Sequence, residues 1–121
     1  MIIFLLGILS LTYAFENIDS TKFKEIMEKE KGILVLDVRT PVEYREDGHI
    51  PGSILIPVQI LPQHIKDIEN FKNKKVLIYC RSGNRSVYAS RILEQNGFNK
   101  VYNLKEGIIG WKKSGFPVEF R

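Results

Sequence analysis

Lys75-Val76-Leu77-Ile78-Tyr79-Cys80-Arg81-Ser82-Gly83-Asn84-Arg85-Ser86 is the stretch whose reading decides the fold. Its first five residues read as a strand, with an apolar run from Val76 to Tyr79 typical of a buried one, and Ser86 opens an amphipathic helix. The loop between them carries the only cysteine of the chain. The helix is expected to run to Asn96, with Tyr88, Ala89, Ile92 and Leu93 on one side and Gly97 as its stop. A strand, a loop that begins on a thiol and a helix N-terminus together make a cradle of backbone N–H groups. Such a cradle favours an anion and a thiolate. Arg81 and Arg85 add permanent positive charge. The bland alternative is a small buried cysteine at a strand end. Its place between two arginines and a glycine argues instead for a reactive group.

Outward from this stretch, strands and helices alternate. Glu16-Asn17-Ile18 reads as a short edge strand, and Ser20 is expected to cap a helix reaching about Lys31, with Phe23, Ile26 and Met27 on one face. Ile33-Leu34-Val35-Leu36 reads as a strand buried on both faces. Asp37-Val38-Arg39 closes it, and Pro41 opens a short helix through Glu43, Tyr44 and Arg45. Gly48-His49-Ile50-Pro51-Gly52 is turn chemistry, followed by a short strand over Ser53–Pro57. Leu61 to Phe71 has a helical pattern, with Ile65 and Ile68 inward. A fourth strong strand covers Lys100–Leu104, and helical turns from Gly107 to Lys113 carry Trp111. This alternation predicts an α/β fold: a mainly parallel central sheet flanked by helices on both faces. The reactive loop then lies at the carboxyl end of a strand, where such sheets place their ligands.

Composition narrows the function. With 121 residues, 26% of them charged, the chain has room for one core. The net charge of +4 is mild, and lysines alternate with glutamates rather than forming a stripe, so no nucleic-acid partner is expected. Met1 to Phe15 holds no charged residue, and Thr12-Tyr13-Ala14 ends on a small one. Residues 1–14 are therefore expected to be a signal peptide and 15–121 the working domain, placed in a periplasm or secreted. The apolar run is short for a bilayer span, so no stable membrane anchor is expected after cleavage; N-terminal tethering is the alternative. A lone cysteine in an exported chain makes no disulfide, which favours a working thiol at Cys80.

The ordered set Asp37-Val38-Arg39, Glu43-Tyr44, Gly48-His49-Ile50-Pro51-Gly52-Ser53, Ile56-Pro57, Cys80 through Ser86, Ala89, Leu93, Gly97-Phe98, Leu104 through Gly107 and Trp111 resembles the rhodanese-like sulfurtransferases. The resemblance covers most of the chain after Glu16 and looks like the stand-alone, single-domain form. It implies that Cys80 is the nucleophile and carries a persulfide. The donor would be a small anion such as thiosulfate or polysulfide. The acceptor would be cyanide, a thiol, polysulfide or a protein. No metal or organic cofactor is implied.

Arg81, Ser82, Gly83, Asn84, Arg85 and Ser86 would line the substrate site, with Arg85 the stronger anion binder and Ser82 and Ser86 hydroxyl donors. Gly83 and Asn84 suit left-handed backbone. Asp37 and Arg39 are read as a structural ion pair, and Glu43, Tyr44, His49 and Trp111 as packing and turn residues. A persulfide carrier serving a partner protein is the alternative from another class. A cysteine-dependent phosphatase or arsenate reductase is a minor one, because those families use a wider loop than the four residues between Cys80 and Arg85.

Overall fold

The computed structural model describes residues 14–121, so the expected signal segment lies, apart from Ala14, outside the described residues. Five strands form one sheet in the order β1-β5-β4-β2-β3, with every pairing parallel. They are β1 (Glu16–Ile18), β2 (Leu34–Asp37), β3 (Ile54–Leu55), β4 (Val76–Tyr79) and β5 (Val101–Leu104). The helices are α1 (Ser20–Lys29), α2 (Pro41–Glu46), α3 (Asn84–Gln95) and α4 (Gly107–Lys113), and a run of 3-10 turns covers Val58–Phe71.

Successive strand residues point to opposite faces, which divides the core in two. Leu36, Val38, Ile78 and Cys80 meet Leu61, Ile68, Ala89 and Leu93 from the 3-10 run and α3. Val35, Leu77 and Tyr79 meet Phe23, Ile26, Ile108 and Trp111 from α1 and α4. Both faces of the sheet are thus covered, as expected for parallel strands. Each fully buried aliphatic side chain here contributes about 1.5–3 kcal/mol of transfer free energy. β4 is the central strand, buried at all four positions, so the loop that follows it starts from the most constrained backbone of the molecule.

Three local expectations are corrected. Asp19, not Ser20, caps α1: its carboxylate accepts the Lys22 N–H at 2.8 Å, while Ser20 is already helical and buried. The segment expected as a helix from Leu61 instead begins at Val58 and is wound as 3-10 turns with a break at Ile68. Pro62 within it supplies no N–H for an α-helical bond, which favours the tighter winding. Asn84 takes ordinary helical backbone at the start of α3, and Gly83 alone provides the left-handed turn of this loop, with φ at +108°.

Candidate active site

Cys80 follows β4 directly, and its side chain is 1% exposed. The Gly83 N–H donates to Cys80 Sγ at 3.1 Å, and the Ser86 hydroxyl donates to the same sulfur at 3.3 Å. Ser86 Oγ also reaches the Gly83 carbonyl at 3.2 Å, so its single proton is shared between sulfur and loop backbone. No side chain caps α3, and Gly83 sits at its N-cap. The first N–H groups of the helix therefore remain available beside the sulfur.

Two glycines make this geometry attainable. The carbonyls of Cys80 and Arg81 are drawn outward by the Ile108 and Ile109 N–H groups of α4, at 2.9 and 3.2 Å. With those carbonyls held away, the Gly83 N–H turns inward to the sulfur. Gly107, at φ +65°, lets α4 approach; a Cβ there would collide with the Arg81 carbonyl group. At Gly83 an added Cβ would likewise collide, here with the Lys105 carbonyl oxygen. The cradle is thus made between two chain segments, and α4 holds its outer wall.

The residues expected to line the site separate into two groups. Cys80, Gly83 and Ser86 meet at the sulfur. Arg81, Ser82 and Asn84 are exposed around the loop, and among the described residues none of their side chains bonds to Sγ. A cleft of about 200 Å³ opens beside Arg81, with Arg39, Asp47, Ile108, Ile109 and Lys112 as its other walls. Among the described residues, Arg85 makes no hydrogen bond to the sulfur. Its guanidinium forks onto Glu43 of α2 through two bonds of 2.8 Å. Glu43 also closes a capping box with Thr40, accepting the Thr40 N–H at 3.0 Å. Hydrogen bonds from Arg85 lead, against a smaller effect of partial burial, and with Thr40 they hold the Glu43 carboxyl at about 2. Arg85 therefore ties the first turn of α3 to α2, and its charge is already matched.

Beneath the loop lies a polar scaffold. Arg39, 1% exposed, forks onto Asp37 and donates to the Gly48 carbonyl at 2.8 Å. Removing one partner from such a buried pair costs about 3–5 kcal/mol. The Tyr79 hydroxyl accepts the Ile50 N–H at 3.0 Å and lies 3.0 Å from Ser53 Oγ. Ser53 gives its own proton to the Ile50 carbonyl at 2.7 Å, so Tyr79 is the donor to Ser53. Burial foremost, with the Asp37 charge adding to it, pushes the phenol far up and keeps it neutral. His49 stacks on Tyr44 and donates from Nδ1 to the Tyr44 carbonyl at 2.9 Å. Tyr44 in turn donates to the Ser53 carbonyl at 2.7 Å. These residues brace the turn at 48–53 against the carboxyl ends of β2 and β4.

Sequence reasoning missed the Glu43–Arg85 tie and the Tyr79 hydroxyl. A capping-box spacing, Thr40 with Glu43, is visible in the chain, but its second use by Arg85 is not. Tyr79 reads as one more strand residue until the turn at Ile50 is folded against it.

The Rhodanese-like domain family model matches residues 19–114, which takes in β2 to β5, the Cys80 loop and all of α4. The chain belongs to the rhodanese-like family. Among rhodanese-like relatives, a sulfurtransferase of Allochromatium vinosum is 38% identical over 102 residues, 84% of this chain and 92% of that protein. The crystal structure of a rhodanese-related protein from Thermoplasma volcanium superposes with a TM-score of 0.77 at 34% identity, over 88% of this chain and 100% of that one. The tRNA uridine(34) hydroxylase of Buchnera aphidicola is 36% identical over 104 residues, 79% of this chain. The match spans only 33% of the hydroxylase, so the rhodanese-like unit is also a part of larger proteins.

Proposed function

We propose that this rhodanese-like protein is a sulfurtransferase that carries sulfane sulfur as a persulfide on Cys80. The observation that carries the reading is the pair of donors, the Gly83 N–H and the Ser86 hydroxyl, converging on one buried sulfur at a helix start. In the first step the Cys80 thiolate attacks the outer sulfur of thiosulfate. The new S–S bond forms as the sulfur–sulfur bond of the donor breaks, and sulfite leaves with the electron pair. In the second step an acceptor thiolate or cyanide attacks the outer sulfur of the persulfide. Persulfide or thiocyanate leaves, and the Cys80 thiolate is restored. Donors fixed before the reaction stabilise the charge on sulfur in both steps, and splitting the transfer gives ping-pong kinetics. Arg81, exposed beside the 200 Å³ cleft, is the cation we assign to drawing in an anionic donor.

The identity to a sulfurtransferase over nearly its whole length supports this reading. Cys80→Ser tests it: steady-state thiosulfate-to-cyanide transfer should vanish while the folded circular dichroism spectrum stays. Retained transfer removes Cys80 from the chemistry. A persulfide that forms but turns over slowly with small acceptors supports the carrier reading instead. We also propose export with cleavage after Ala14, on the strength of the uncharged stretch from Met1 to Phe15. N-terminal sequencing of the native protein tests it: a chain starting at Phe15 is expected, and one starting at Met1 contradicts it.

A further inference from the structure

The sheet divides Cys80 from the cleft beside its neighbour Arg81. Cys80 packs on the α3 side, with Ala89 and Leu93, whereas Ile108 of the cleft wall packs on the opposite side, with Phe23 and Trp111. The cleft of about 200 Å³ therefore belongs to the α4 side, behind the loop backbone that carries the sulfur. Its volume falls below the roughly 300–1,000 Å³ of pockets that hold drug-sized ligands, so it suits a small ion.

Three of its walls are cations. Arg39 is held in place, with Nε and Nη2 bonded to Asp37 and Nη2 also to the Gly48 carbonyl, while Nη1 has no acceptor among the described residues. Arg39 is 1% exposed and borders the cleft, so the cleft is where Nη1 can meet an acceptor. A buried donor without one is costly, and a buried charged donor more so. Lys112 donates to the Asp47 backbone carbonyl, and Arg81 is exposed. Among the described residues neither has a carboxylate within ion-pair distance. Asp47 is the acid on these walls and Asp37 is spent on Arg39, so the cleft keeps a positive surplus. We propose that it is an anion site, separate from the sulfur cradle, for one small oxygen anion: a carboxylate, or an oxyanion of sulfur or phosphorus. The anion's oxygens accept from Arg39 Nη1 at the inner end, and Arg81 and Lys112 supply charge at the rim. The site needs no persulfide, so it stands or falls apart from the sulfurtransferase reading.

The test is a nuclear magnetic resonance titration of the full, nitrogen-15-labelled chain with sodium malonate and, separately, with sodium sulfate, at constant ionic strength so that general screening does not change. The Arg39 Nε–H signal and the Ile108 and Ile109 amides are expected to shift together and to saturate with a Kd of about 1–10 mM. The tighter of the two salts tells a carboxylate site from an oxyanion site. Lys112→Gln should weaken binding about fivefold, while Lys113→Gln, one residue along and off the cleft wall, should leave it unchanged. Cys80→Ser should also bind as the wild type does. No saturation by about 100 mM of either salt, unchanged binding in Lys112→Gln, or equal weakening in Lys113→Gln overturns the proposal. So do shifts centred on the Gly83 to Ser86 amides that disappear in Cys80→Ser, which would put the anion in the sulfur cradle instead.

Discussion

Replacing Glu43 by Gln keeps the shape of the side chain and removes the charge that Arg85 grips. In the folded protein the Glu43 carboxyl is held at about 2 against an ordinary 4.5, chiefly by the Arg85 hydrogen bonds. That difference corresponds to roughly 3 kcal/mol in a fully shielded site. The Arg85 side chain is 35% exposed, and solvent screening reduces the contribution to about 1–2 kcal/mol. Since the folded-state value is depressed, the stabilisation is complete above about 4.5 and is lost as pH falls toward 2. Glu43→Gln should therefore lower the melting temperature at pH 7 by roughly 5–10 °C. The gap between the two proteins should then close as pH is lowered from 5 to 2.5. Thermal melts followed by circular dichroism across that range measure both effects, and titrations common to the two proteins subtract out. A variant with the wild-type melting temperature at pH 7, or a gap that does not change with pH, refutes the tie between α2 and α3.

Gly83→Ala places a methyl group against the Lys105 carbonyl on left-handed backbone, so it should cost more than about 1 kcal/mol; it should also reduce sulfur transfer more than tenfold, and a variant with normal melting and rate contradicts the cradle geometry. Tyr79→Phe leaves the buried Ile50 N–H without its acceptor and should destabilise by about 1–3 kcal/mol in urea unfolding, with little change in turnover of the folded fraction. Arg81→Ala should raise the KM for thiosulfate severalfold and leave kcat nearly unchanged, whereas Arg85→Ala should lower stability; the reverse pattern in steady-state kinetics and melting would return the anion-binding role to Arg85.

The features legible in the sequence were those written in local order. The apolar run of β4, the glycine of the turn after it and the bounds of α4 at Gly107 and Lys113 follow from periodicity and punctuation, and they place the loop at a strand end. The buried pair of Asp37 and Arg39, with only Val38 between its members, was expected from the family resemblance. The relation of Arg85 to Glu43 was not, because it joins positions 42 residues apart and depends on how α2 leans over α3. Nothing in the sequence around a loop arginine shows that a distant carboxylate is folded against it. The choice of Asp19 over Ser20 as the cap of α1 is similar: either residue type can cap, and burial of Ser20 under α4, near Gly110, settles which one does. In the Val58–Phe71 run the apolar spacing suggested an α-helix, while Pro62 removed a backbone donor that the pattern alone does not weigh.

The central claim, a persulfide on Cys80, is tested most directly by the intact mass of the purified chain before and after thiosulfate. The account predicts a gain of one sulfur atom that is removed by cyanide and absent in Cys80→Ser. No gain with thiosulfate or with polysulfide, or a gain that survives in Cys80→Ser, would contradict it.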